Sequence, residues 1–324
     1  LVIKSTDAET ALAALESTFE KEIVNGDVER IDVNENIAVI SIIGQDLNTF
    51  DRSFSALVKN KVSPLLFSNS ISGSQVSLVI TKPQLKRALN VIHGQIFGIS
   101  KRINLAILGH GTVGSVLIDQ IIENVKTLED KKNIKFNIFA IANSKKVVLD
   151  RKGIESDWRA NIHVKALPYK VEDILQYASE YNLENLILID NTSSDEVTNQ
   201  YFKFIENGFD IISSNKTANT KSYHFYKSFR KLLKDNQKEY LYETNVGAGL
   251  PLIDTIRLLH LSGENITKIR GVFSGTLSYI FNRYSVENVP FSEILLDAIQ
   301  LGFTEPDPRL DLSGEDVARK LLIL

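Results

Sequence analysis

Three stretches of this sequence combine residue types and spacings that can do chemistry. The segment INLAILGHGTVG carries Gly109, Gly111 and Gly114 at G-x-G-x-x-G spacing. In such a turn the first glycine permits the bend, the second lets a pyrophosphate reach bare backbone, and the third lets a helix pack on its strand. The helix amino terminus, including Thr112 and Val113, then offers unpaired N–H groups and the positive end of its dipole to the anion. The second stretch is a pair of polar runs, Asp190-Asn191-Thr192-Ser193-Ser194 and Ser214-Asn215-Lys216, each directly after a short apolar run. Polar residues just past the carboxyl ends of strands in an open parallel sheet lie where a ligand lies. The third is the loop Gly302-Phe303-Thr304-Glu305-Pro306-Asp307-Pro308-Arg309, followed by Asp316 and Lys320 at i, i+4. On an ordinary surface helix that pair is a solvated ion pair; after so charged and proline-rich a loop it points to function. Lysines act as general acids or bases when burial and neighbouring cations lower their pKa. The candidate histidines are His93, His110, His163, His224 and His260, and none falls in a stretch that points to the same crevice; His110 lies in the glycine turn, beside the phosphates.

A lone G-x-G-x-x-G is a weak signal, so its flanks matter. Leu105, Ile107 and Leu108 precede it as a strand, and Val113, Val116, Leu117, Ile118, Ile121 and Ile122 follow at mostly helical spacing. A second strand, 135–142, ends in Asn143-Ser144-Lys145-Lys146. No Asp or Glu stands there to accept from the ribose hydroxyls, and the two lysines either hold a 2′-phosphate or belong to a solvated turn. On that basis NADP is expected over NAD. Helix 171–181, strand 185–190, helix 196–207 and strand 210–213 continue a parallel α/β alternation. From Lys238 the pattern changes to strand 240–244, loop 245–251, helix 252–261, strand 268–273, helix 277–283 and helix 315–322, read as an α+β substrate domain with its own sheet.

At the amino-terminal end, residues 1–4 read as a strand remnant, before a helix with Ala8, Leu12, Leu15, Phe19 and Ile23 on one face. Strand 37–43, a Gly44-Gln45-Asp46 turn, helix 50–62, strands 65–70 and 75–81 and helix 83–97 then form a βαββα unit. Ser72-Gly73-Ser74 suits a hairpin, and Pro83 the first turn of a helix. No acid, base and nucleophile set appears in this region, so regulation or assembly is expected of it. The resulting division is 1–35, 36–98, 99–237 and 238–324.

Composition narrows the class. A chain of 324 residues exceeds one ordinary domain of about 150 residues. The net charge of −3 and pI near 6.0 give no general attraction to nucleic acid. No apolar run of about 18 residues could span a membrane; the expectation is a cytoplasmic protein. Without cysteine there is no disulfide and no thiolate nucleophile or ligand. The absence of methionine, and a final DVARKLLIL that stops inside a helical pattern, imply that the ends are cut or that methionines are missing from the chain as written.

Six blocks in order carry a family resemblance: LGHGTVGSVLIDQ, IDNTSSDEVTNQY, SSNKTANT, YETNVGAGLP, GVFSGTLSYIFN and GFTEPDPRLDLSGEDVARKLLIL. From Ile103 onward the chain resembles homoserine dehydrogenase, in the form fused to aspartokinase. Residues 1–97 are similar to the paired ACT regulatory units of the fused enzymes. The resemblance implies NAD(P)-dependent interconversion of L-homoserine and L-aspartate 4-semialdehyde, on the path from aspartate to threonine and methionine. It implies that Gly302, Glu305 and Asp316 hold the amino-acid end of the substrate and that Lys216 and Lys320 are the active-site lysines. Lys320 is then proton donor and acceptor, with Lys216 polarising the reacting oxygen. Cofactor contacts fall to Gly109, Gly111, Thr112, Val113, Gly114, Asn143, Thr192, Ser193 and Lys216. A monovalent cation, sodium, falls to Glu243 and the carbonyls of Val246, Ala248 and Leu250. Threonine is the implied effector, at residues 44–48, and a homodimer or larger homo-oligomer the implied assembly. Leu310 departs from the family's Asp, and Ser213-Ser214 from its Thr-Pro or Thr-Ala. A different reading is a regulatory and assembly piece that binds an amino acid through the ACT units while its truncated dehydrogenase is inactive.

Overall fold

Among the described residues, two sheets are found, each built from a different kind of apolar run. The computed structural model describes residues 2–44, 50–70, 75–96, 101–304 and 307–324, and the side chains of all of these except 50–52 and 310. They fall into two compact units, Leu1–Val58 with Val62–Ile96 and Lys59–Lys61 with Phe97–Leu324.

In the first unit the strands β1 (Ile37–Ile43), β2 (Leu66–Asn69) and β3 (Gln75–Thr81) form an antiparallel sheet in the order β1-β3-β2. Alternation decides which face is covered: Ile40 of β1 is buried while Val39 and Ile43 are exposed. Ile40, Leu78 and Ile80 pack with Leu57, Ala88, Val91 and Ile92 of the helices Phe50–Lys59 and Leu85–Ile96. The element order is the βαββα read from the sequence. The strand expected at 1–4 does not form among the described residues: Val2–Lys4 find no ladder partner, and a strand without one leaves its backbone groups unpaired. The helical pattern that follows breaks into Ala8–Thr18 and Glu20–Val24. The hairpin at 72–74 and, beyond Gly44, the effector turn at 44–48 lie outside the described residues.

The second unit contains β4 (Lys101–Leu108), β5 (Ile134–Ala142), β6 (Lys146–Leu149), β7 (Leu167–Pro168), β8 (Leu186–Asp190), β9 (Asp210–Ser213) and β10 (Tyr240–Leu241). Their order is β10-β9-β8-β4-β5-β6-β7. The first five are parallel, and β6 and β7 are antiparallel additions. The central strands read as continuous apolar runs because both faces are covered. Ala106 and Leu108 face one core, with Tyr201, Phe204 and Phe229 from the helices Asp195–Glu206 and Tyr223–Asp235. Leu105 and Ile107 face the other, with Ile118 of helix Thr112–Lys132 and with Trp158 and Ile162 of helix Trp158–Val164.

The register of this sheet sets up the site. Leu108 stands opposite both Ala142 and Asp190, and Asp190 opposite Ser213. Gly109, Asn143, Asn191 and Ser214 therefore leave the sheet side by side. Three hydrogen bonds seal the row: Gly109 N–H donates to Ala142 at 2.8 Å, Asn191 N–H to Leu108 at 2.8 Å and Ser214 N–H to Asp190 at 3.0 Å.

Beyond β10 the chain is helical: Leu252–Leu261, Gly275–Val286, Phe291–Gln300, Pro308–Leu312 and Glu315–Ile323. The separate sheet read from the sequence is not found there among the described residues. The run 240–244 stops as a strand at Leu241 and turns into the short helix Thr244–Gly247, and residues 268–273 stay without regular structure. Among the described residues of this part a single strand has no second strand with which to exchange hydrogen bonds. Helix Glu315–Ile323 instead packs beside the short helices Thr217–Thr220 and Thr244–Gly247.

Candidate active site

The glycine turn has the geometry its spacing requires. Gly109 has φ +86°, and a Cβ there would stand 2.9 Å from the Asn191 carbonyl and the Thr192 side chain. At Gly114 a Cβ would sit 2.0 Å from the Gly109 carbonyl oxygen, so only glycine lets helix Thr112–Lys132 start this close to β4. Gly111 has open space where its Cβ would be. No side chain caps this helix amino terminus. Its first N–H groups therefore remain available to an anion, with exposed Val113 beside them.

A cavity of about 470 Å³ opens along the same row, lined by Gly109, Asn143, Tyr169, Lys170, Thr192 and Ser193 among others. Asn143 closes its own turn: Oδ1 accepts the N–H groups of Lys145 and Lys146, both at 2.8 Å, and Nδ2 lies 3.1 Å from His110 Nε2. Lys145 and Lys146 are not among the cavity-lining residues, whereas Ser144 and Lys170 are. The sequence reading missed Tyr169 and Lys170, because nothing in a two-residue strand and the start of a helix signals a ligand. Burial and the charges of Asp190, Glu196 and Glu172 push the Tyr169 hydroxyl up to about 12.

On the next strand end, the Asp190 carboxylate is buried and accepts from Thr192 N–H (2.8 Å), the Tyr201 hydroxyl (2.6 Å) and Asn215 Nδ2 (3.2 Å). Burial raises its pKa, against the pull of those hydrogen bonds. Thr192 Oγ1 accepts the Ser194 N–H at 3.2 Å, and Ser194 Oγ caps helix Asp195–Glu206. Exposed Ser193 is left facing the cavity.

The lysines meet on one acid. Asp316 Oδ1 lies 3.0 Å from Lys216 Nζ, and Oδ2 lies 2.8 Å from Lys320 Nζ, which also donates to the Phe273 carbonyl at 2.8 Å. Burial raises the Asp316 pKa, but the hydrogen bonds and charges of Lys320 and Lys216 outweigh it and hold the carboxyl below its ordinary value. The helical spacing of Asp316 and Lys320 and the strand-end position of Lys216 were legible in the sequence; the ion pair of Lys216 with Asp316 was not. Gly302, with φ +72°, terminates helix Phe291–Gln300: its N–H donates to Ile299 at 3.1 Å and the Phe303 N–H to Ala298 at 2.9 Å. Glu305 lies outside the described residues, as does the Leu310 side chain.

Glu243 caps a helix. Its Oε1 accepts the Ile253 N–H at 2.9 Å and Oε2 the Asp254 N–H at 2.8 Å, at the start of Leu252–Leu261. Val246 is buried on the intervening helix, Ala248 turns the chain with φ +50°, and the Leu250 carbonyl accepts the Leu252 N–H at 2.9 Å.

A parallel sheet with a glycine turn and a helix amino terminus at its switch point defines a Rossmann-type dinucleotide-binding protein. Residues 109–243 match the NAD binding domain of homoserine dehydrogenase, and residues 251–324 the homoserine dehydrogenase family itself. These matches identify homoserine dehydrogenase domains in the chain. It is 39% identical, over 94% of its length and 38% of the relative's, to a bifunctional aspartokinase/homoserine dehydrogenase of Buchnera aphidicola. It is 34% identical, over 98% of its length and 39% of the relative's, to the like-named protein of Haemophilus influenzae. The chain thus spans about two fifths of the length of these curated relatives. Among solved structures it is similar to a hyperthermophilic archaeal homoserine dehydrogenase in complex with NADPH, at 26% identity and TM-score 0.56, covering 68% of this chain and 67% of that one. No helix among the described residues is long and apolar enough to cross a membrane.

Proposed function

We propose that this protein interconverts L-homoserine and L-aspartate 4-semialdehyde with a nicotinamide cofactor, NADP in preference to NAD. The observation that carries the reading is the convergence of Lys216 and Lys320 on Asp316, one residue past the strand-end row and the others on the helix against it. When bound, the nicotinamide supplies the hydride acceptor. Lys320 Nζ takes the hydroxyl proton as the carbonyl forms and returns it in the reverse direction; Lys216 Nζ polarises the same oxygen. Asp316 and Glu305 hold the substrate ammonium group, with Gly302 beside them, and an ammonium on Asp316 releases Lys320 towards the hydroxyl. Gly109, Gly111, Thr112, Val113 and Gly114 hold the pyrophosphate, while Asn143, Thr192, Ser193 and Lys216 complete the cofactor contacts. The absence of an acidic acceptor after Ala142 supports NADP, and so does the NADPH bound in the archaeal relative. Sodium is proposed at Glu243 with the carbonyls of Val246, Ala248 and Leu250. The support is a set of hard oxygen donors that keep lone pairs after their hydrogen bonds.

The same reading extends to the longer protein. We propose fusion to an aspartokinase, ACT-like units at 1–35 and 36–98 that bind threonine, a dinucleotide domain at 99–237, a substrate domain at 238–324, a homodimer or larger, and a cytoplasmic location. The βαββα order of the first unit supports the ACT assignment. Calorimetric titration of the intact protein with threonine tests the effector, and no heat of binding refutes it. Homoserine oxidation with NADP, followed as absorbance of the reduced nicotinamide, tests the activity, and no turnover returns the chain to a regulatory and assembly role. A higher specificity constant for NAD than for NADP refutes the cofactor preference.

A further inference from the structure

The Asp190 carboxylate has no part in the chemistry above, yet it joins the two loops that perform it. It is completely buried at the end of β8. Oδ1 accepts the Thr192 N–H, and Oδ2 accepts both the Tyr201 hydroxyl and Asn215 Nδ2. Asn215 in turn accepts the Thr217 N–H on Oδ1 at 3.0 Å and donates to the Ser194 carbonyl at 3.0 Å. The Tyr201 hydroxyl also pairs with Ser213 Oγ at 2.9 Å, and that Oγ accepts the Asn215 N–H at 3.0 Å. Lys216 is the next residue. On its outer side Lys216 is tied to Asp316 by an ion pair whose two side chains are 26% and 27% exposed, a contact that water weakens.

Burying a charge is costly, so a buried carboxylate calls for a physical reason. Here the reason is inventory: three donors from three segments converge, and an ionised carboxylate only accepts. An asparagine of the same shape must turn its NH2 towards one of those donors. We propose, on the dehydrogenase reading above, that Asp190 is a positioning residue that sets the Lys216 ammonium group relative to the cofactor turn at Thr192. It touches neither substrate nor cofactor; it acts through Asn215 and the Thr192 N–H. Hydride and proton transfer depend steeply on such placement, and a shift of about 1 Å far from the reacting atoms costs about 100-fold in rate.

The test uses the full-length protein and three readouts: kcat and KM for homoserine, binding of the reduced cofactor by its own fluorescence, and the primary isotope effect with homoserine deuterated at C4. Asp190→Asn is expected to lose about 100-fold in kcat, with cofactor binding and homoserine KM within about 3-fold. The isotope effect on kcat rises in this variant, because hydride transfer becomes the slow step. Asn215→Ala leaves the Asp190 contact to Thr192 in place and shows the same rise; if Asp190→Asn does not fold, it decides alone. Unchanged kcat in the folded variants overturns the inference. So does a kcat loss that only tracks lost active protein, with the isotope effect unmoved. A wild-type protein that does not oxidise homoserine overturns the dehydrogenase reading and the inference with it, whereas an active wild type with unaffected variants overturns the inference alone.

Discussion

Alanine at Gly111 and alanine at Gly114 should do opposite things, although both lie in one motif. At Gly114 the added Cβ would stand 2.0 Å from the Gly109 carbonyl oxygen and 2.9 Å from its carbon. An ordinary carbon–oxygen contact is about 3.3 Å, so the turn and the helix must separate by about 1.3 Å. The neighbour is backbone, held by the 2.8 Å hydrogen bond of Gly109 N–H to Ala142, and no flexible side chain can yield. Overpacking of this kind costs about 1–3 kcal/mol. At Gly111 nothing lies within 4 Å of the added Cβ, and the backbone is extended with a negative φ (φ −69°, ψ −156°). Gly111→Ala should therefore keep its stability within about 0.5 kcal/mol of wild type. If a pyrophosphate passes over Gly111, the methyl group stands in its way, and the affinity for reduced cofactor falls by about 10-fold or more, the equivalent of about 1.4 kcal/mol. Thermal denaturation and fluorescence titration with NADPH separate the two effects. A Gly111→Ala protein that binds NADPH as wild type does would refute the reasoning, because it would place the phosphates elsewhere.

Lys320→Ala should lose about 10²–10⁴-fold in kcat while its cofactor affinity stays unchanged, and near-normal turnover removes Lys320 from proton transfer. Asp316 gives a pH test. Its folded pKa lies below the unfolded value of about 3.9, so its stabilisation is present above that pH and lost as pH falls through the lowered folded value. The melting-temperature gap between wild type and Asp316→Asn should hold from pH 7 to 5 and narrow as the pH falls below about 3.9; a gap that does not narrow in acid contradicts this. Glu243→Ala uncaps helix Leu252–Leu261 and should cost about 1 kcal/mol in denaturant titrations without sodium. If Glu243 also holds sodium, replacing choline by sodium raises the wild-type melting temperature and leaves the variant unmoved, and equal responses refute the cation.

Local features were legible in the sequence because they depend on neighbours a few residues away. Gly109, Gly111 and Gly114 announce a strand, a turn and a helix, since each answers a steric demand of that local geometry. The i, i+4 pair Asp316 and Lys320 follows from helical periodicity alone. The βαββα order of the first unit and the parallel alternation from Leu105 to Ser213 were visible as apolar runs of period two and 3.6. What only the tertiary structure decided rests on register and on contacts across many residues. Pairing of Leu108 with Ala142 and Asp190, and of Asp190 with Ser213, brings four loops into one row, and no local pattern encodes a register between separate strands. The same register buries Asp190 against Asn215 and leads Lys216 to Asp316. Residues 268–273 show the converse: their strand-like composition is local, but a strand exists only where a partner accepts its hydrogen bonds, and the described chain supplies none.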